Sequence, residues 1–124
     1  MGYYKSISAS SIWEHITKTI TSDTVSVNAS SSTYIDIYPE KNEIIFLCIE
    51  LNSSSSNSYF EVLVRDQTNA EWRRILKKYG NGTDFLSENL ILLLDENYYI
   101  HIYVYNAETN ARDFNCVIGR VALE

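Results

Sequence analysis

Residues 98–105 read Tyr-Tyr-Ile-His-Ile-Tyr-Val-Tyr, and from Tyr99 onward amphipathic and aliphatic side chains alternate without a break. Successive side chains leave a pleated backbone on opposite sides, so a period of two predicts a β-strand. Ile100, Ile102 and Val104 then share one face, and Tyr99, His101, Tyr103 and Tyr105 share the other. The aliphatic face belongs in a core. The ring-bearing face differs from an ordinary solvated face, which would carry Lys, Glu and Thr.

The same reading extends along the chain. Residues 24–28 and 34–38 are strand-like and flank Ala29-Ser30-Ser31-Ser32, which predicts a hairpin. Residues 43–51 are apolar at both parities, with Ile44, Phe46 and Cys48 set against Ile45, Leu47 and Ile49. That pattern predicts an interior strand buried on both faces. Residues 59–65 place Phe60, Val62 and Val64 on one face. Residues 71–78 alternate Trp72, Arg74, Leu76 and Lys78 with Arg73, Ile75 and Lys77, and a helix is also open there. Residues 90–94 read as a buried strand and residues 114–121 as the last one. Polar turns separate these segments, the clearest being Tyr79-Gly80-Asn81-Gly82-Thr83. Near the start, Ser11 and Glu14 form a capping box, with Ile12, Ile16 and Ile20 at helical spacing. The β-branched run 16–21 opposes a helix, which leaves a short helix at 11–17 or else another strand.

Eight or nine short strands with turns every 8–12 residues or so predict an all-β, antiparallel β-sandwich, jelly-roll-like, with at most one short N-terminal helix. At 124 residues the chain is expected to be one domain, 1–124. A core of that size folds without a metal or disulfide staple. The formal charge of −6 argues against nucleic acid, whose phosphates need a basic stripe. It also argues against anionic membrane surfaces. No run approaches the length of an apolar membrane span, so membrane insertion is not expected.

Candidate chemistry is sparse. There are two histidines, His15 and His101, and two cysteines, Cys48 and Cys116. No His-x-x-x-His, Cys-x-x-Cys, Gly-x-Ser-x-Gly or phosphate-cradling glycine loop is present. The four potential zinc ligands lack the short paired spacing of zinc sites. Cys48 and Cys116 read as small buried hydrophobes, with a disulfide between them left open. Asp95-Glu96-Asn97 carries oxygen ligands but reads as a turn. The expectation is no enzyme, no metal and no cofactor.

The candidate interface or binding residues are therefore Tyr99, His101, Tyr103 and Tyr105. Three readings are open: a subunit interface, a platform that stacks on sugar rings or bases, with the acidity of the chain counting against bases, or a second core face covered by the opposing sheet. Trp13 and Trp72 lie outside the segment that carries the stripe, which weighs against the sugar platform. In size, strand count and shortage of catalytic groups the pattern resembles single jelly-roll capsid and spike domains. That resemblance implies a non-catalytic, self-associating structural subunit, a homo-oligomer or a partner of other structural subunits, in a virion or at an extracellular surface. The alternative is a carbohydrate-binding module or adhesin head.

Overall fold

In the computed structural model, residues 20–123 are described, and they form eight strands and no helix. The strands are β1 (Thr21–Val27), β2 (Ser31–Ile37), β3 (Glu43–Leu51), β4 (Tyr59–Asp66), β5 (Trp72–Tyr79), β6 (Leu86–Leu94), β7 (Tyr98–Asn106) and β8 (Arg112–Ala122). The segment 71–78, where helix and strand were both open, is strand. The helix expected at 11–17, with Trp13 and His15, lies outside the described residues.

Two four-stranded sheets face each other, with orders β1-β8-β3-β6 and β2-β7-β4-β5. Every ladder is antiparallel. The pairs β4–β5, β3–β6, β2–β7 and β1–β8 nest inside one another. The chain is thus one long hairpin rolled over itself, and the β3–β8 and β4–β7 ladders seal the roll. This is the expected jelly-roll sandwich. The hairpin expected across residues 29–32 does not form, because β1 and β2 enter different sheets. Their connection holds Ser30 at a φ of 50° and crosses from one layer to the other. A tight turn fixes where the chain reverses, but not which ladder each arm joins. Among the eight described strands only β4 and β5 are consecutive and paired.

The core lies between the layers. Ile45, Leu47, Ile49 and Leu51 of β3 and Phe114, Cys116 and Ile118 of β8 meet Phe60 and Val62 of β4 and Ile100, Ile102 and Val104 of β7. Phe60 and Phe114 meet across the layers, with ring centroids 6.5 Å apart. β3 is interior within its sheet, as expected, but it is not buried on both faces. Ile44 and Phe46 are half-buried and Cys48 and Glu50 are exposed on its outward side. Likewise β6 is an edge strand, with Ile91 and Leu93 turned outward. A run that is apolar at both parities signals two dry faces only when both have a layer over them, and the opposing sheet covers one.

Polar contacts stitch the ends. At one end Glu43, 6% exposed, accepts from Arg120 Nε at 2.8 Å and Nη2 at 2.7 Å. The same Nη2 donates to the Tyr38 carbonyl just past β2, tying the two sheets together. Burial pushes the Glu43 carboxyl up, but the Arg120 hydrogen bonds, the Glu40 amide and the guanidinium charge outweigh it and hold it below its ordinary value. At the other end buried Asn106 donates to the carbonyls of Val27, Asn28 and Asn110. The serine loop is tethered there too: Ser53 Oγ donates to Glu108 at 2.8 Å and lies 2.9 Å from the Ser58 hydroxyl. Gly80 passes so close to this loop that a Cβ on it would sit 1.9 Å from the Ser55 carbonyl oxygen, so only glycine fits.

Candidate functional site: two outward sheet faces

The alternation of β7 is obeyed. Ile100, Ile102, Val104 and Asn106 point inward and are buried, and Tyr99, His101, Tyr103 and Tyr105 point outward and are half-buried. The opposing sheet does not cover them, which removes the reading of this stripe as a second core face. Sheet neighbours cover them partly. Because β7 is central, the registers set its outward residues in rows that run across four strands. One row is Asp36, His101, Leu63 and Arg74; the next is Tyr34, Tyr103, Glu61 and Lys77; the last is Ser32, Tyr105, Tyr59 and Tyr79. At the far end Tyr99 pairs with Arg65, and Arg65 with Trp72.

The result is a continuous aromatic face. Tyr38 stacks on Tyr99 with centroids 4.7 Å apart, and Tyr34 lies 4.9 Å from His101. Tyr59 contacts Tyr79, Tyr103 and Tyr105 at 5.3–5.9 Å. Trp72 meets His101 and Tyr99 near right angles, at 5.2 and 5.8 Å. Polar groups sit among the rings in pairs: His101 Nδ1 lies 2.6 Å from Asp36 Oδ1, and Arg74 Nε 2.5 Å from Glu61. Arg65 lies over Trp72 at 4.8 Å, and Lys77 over Tyr59 at 4.3 Å. A hydrogen bond to Tyr79 is the leading cause that holds the Lys77 ammonium above its ordinary value. Burial, then the neighbouring Tyr103, pushes the Tyr59 phenol up.

Trp72 is the residue that the sequence pattern misplaced. Strict alternation puts it with Leu76 and away from Lys77 and Tyr79. The β4–β5 register shifts between Val62 and Leu63, so that Val62 faces Leu76 and Leu63 faces Arg74. Ile75 is the extra residue of this β-bulge, and the three strand positions before it, Trp72, Arg73 and Arg74, change sides. Trp72 and Arg74 thereby join the aromatic face. Tyr34 and Tyr38 join it through β2, while Tyr59 and Tyr79 arrive through ladders that no local pattern discloses.

The outward face of the first sheet is different. Its registers place Ile44 beside Leu93, Phe46 beside Ile91 and Cys48 beside Val117. Ile91 and Leu93 are 68% and 66% exposed, among the barest large apolar side chains described. No ring pairs or ion pairs break this cluster among the described residues. Cys48 stands exposed on it, whereas Cys116 points into the core from the neighbouring strand. Opposite faces keep the two thiols apart, and both are free. Cys48 is thus not the buried hydrophobe expected. Burial, followed by Asp23 and Cys48, pushes the Cys116 thiol up to about 12.

A cleft of about 670 Å³ opens at one end of the sandwich, lined by Val64, Asp66, Glu71, Arg73, Leu93, Leu94, Asp95 and Tyr98 among others. Its aspartates are spent on turns. Asp66 accepts from the Thr68 and Asn69 amides, and Asp95 from the Asn97 amide. Among the described residues no histidine, cysteine or serine lines it. No group of three or more metal-ligating side chains occurs among the described residues.

No family model matches the chain, and no curated protein matches it by sequence. Solved structures do resemble it. The Yersinia pseudotuberculosis-derived mitogen is 12% identical with a TM-score of 0.51, covering 86% of this chain and 88% of that one. A Bacillus endospore appendage of the disulfide-linked pilus kind is 13% identical with a TM-score of 0.48, over 86% and 90%. A xylan-binding domain from Paenibacillus barcinonensis is 10% identical with a TM-score of 0.44, over 91% and 92%. At such identities the likeness is one of fold.

Proposed function

We propose that this chain is a non-catalytic structural module that self-associates through the outward face of its first sheet, as a subunit of a larger particle such as a capsid, spike or surface fibre. One observation carries the reading: Ile91 and Leu93 stand about two-thirds exposed beside Ile44 and Phe46, and Val117, paired with Cys48, is exposed on the same side. Strands of about nine residues and four strands in width give a sheet roughly 30 Å by 15–20 Å. That footprint, on the order of 500 Å² before side-chain relief, approaches the ~800 Å² per partner of a stable interface. Uncharged aliphatic centres are what obligate interfaces carry. The aromatic face, for which a subunit interface was one of three open readings, suits that role less well because the Glu61–Arg74 ion pair and Lys77 lie in its middle.

Light scattering on the intact protein tests this. The expected outcome is an oligomer that Leu93→Asp converts to a folded monomer. Cys48 supplies a second readout: its thiol should react with a labelling reagent faster in the Leu93→Asp variant, while Cys116 stays silent in both. A wild-type protein that is monomeric at high micromolar concentration sinks the proposal.

A further inference from the structure

The outward face of the second sheet carries features that an assembly surface does not need. Four of its rings are well exposed, Tyr34 at 59%, Tyr38 and Tyr79 at 52% and Trp72 at 44%. They stand on both edge strands, β2 and β5, or just beyond them, and flank the two central ones. The rings are held by their neighbours: Tyr38 is stacked on Tyr99, and Trp72 is set between Arg65 and the Tyr99 and His101 rings. Such rings lose little freedom when a ligand lands on them. Between them lie the Asp36–His101 and Glu61–Arg74 pairs. A carboxylate has about four acceptor sites and a guanidinium five donors, so each pair keeps hydrogen-bonding capacity toward solvent.

We propose that this face binds a saccharide chain. A sugar ring presents a flat C–H surface that stacks on an aromatic face, and a rim of hydroxyls that donate and accept at once. Fixed rings interleaved with paired acids and bases match both parts of that chemistry. The charges of the face nearly cancel, Asp36 and Glu61 against Arg65, Arg74 and Lys77, which does not supply the basic stripe that nucleic acid requires. A protein partner favours an interface centre depleted of charge, which this face is not. From Tyr99 to Tyr105 the strand advances roughly 20 Å, long enough for several linked sugar rings. This proposal does not rest on self-association, since it uses the opposite side of the sandwich.

The test is a glycan array of neutral and uronate-bearing oligosaccharides probed with the full chain, followed by calorimetric titration of the strongest hit. Binding is expected, and Trp72→Ala should weaken it at least tenfold. Trp72 is exposed on an edge strand, and thermal melting checks that the variant folds. Tyr34→Ala, on the other edge, should weaken binding without changing the melt. Leu93→Asp should leave the affinity per chain unchanged. Binding to no glycan, or binding that survives both ring variants, overturns the proposal. So does dissociation of the oligomer by Trp72→Ala, which would assign this face to a second copy.

Discussion

The two outward faces of this sandwich are built on the same scaffold and carry opposite chemistry. Each belongs to a four-stranded antiparallel sheet whose inner side is aliphatic and dry. On the first sheet one end of the outer side is apolar as well, where Ile44, Phe46, Ile91 and Leu93 gather, while Glu50, Asn89 and Asn115 stand toward the other end. On the second it is a lattice of rings and ion pairs, with Tyr99, His101, Tyr103 and Tyr105 at its centre. An aliphatic surface gains only by leaving water, so it calls for permanent cover. A surface of rings with polar tips and paired charges is tolerable in water and still gains from a contact, so it can be bare between encounters. On this contrast rest the two proposals, assembly through the first face and ligand contact through the second.

The comparison breaks most visibly along β3, where neighbouring residues face opposite sides. Leu47→Ala should cost about 2–5 kcal/mol of monomer stability by opening a cavity between the layers. Phe46→Ala, one residue away but outward, should cost about 1 kcal/mol in the monomer and act chiefly on association. Urea unfolding at low protein concentration measures both, and equal costs would undo the assignment of faces.

Glu43 and Arg120 hold the two layers together at one end. Glu43→Gln should cost about 2 kcal/mol, since hydrogen bonds to a charged group are lost and the guanidinium is left uncompensated. The Glu43 carboxyl is held below its ordinary value of 4.5 in the folded state. The stability it confers is therefore complete above pH 4.5 and is lost as the pH falls through the lowered folded value. A melting temperature that falls below pH 4.5 in the wild type, with that component of the fall missing in Glu43→Gln, is the expected result.

The smallest effect is expected on the aromatic face. Tyr103→Ser removes one ring contact, with Tyr59 at 5.9 Å. It should lower monomer stability by about 1 kcal/mol and leave the oligomeric state alone. Were it to dissociate the assembly, the roles of the two faces would have to be exchanged.

Much of this was legible in the residues. The period of two in 98–105 named the inward and outward members of β7 correctly, because the pleat sends alternate side chains to opposite sides whatever the surroundings. The doubly apolar run at 43–51 marked the strand of the first sheet that sits between β8 and β6. Spacing of turns and the recurrence of period-two segments gave the sandwich class.

What the sequence by itself determined is local: where strands run, where they stop, and which side chains share a face within one strand. What only the tertiary structure decided is relational. Whether the second face of β3 and β6 has a layer over it depends on where the other sheet lies, so Ile91 and Leu93 look like core until the layers are placed. Whether residues 24–28 and 34–38 pair depends on which ladder each arm joins. The aromatic face is assembled from four strands whose order in space is not their order in the chain. A one-residue bulge at Ile75 turns Trp72 onto it, because a pleat of period two reverses every side chain beyond a single insertion.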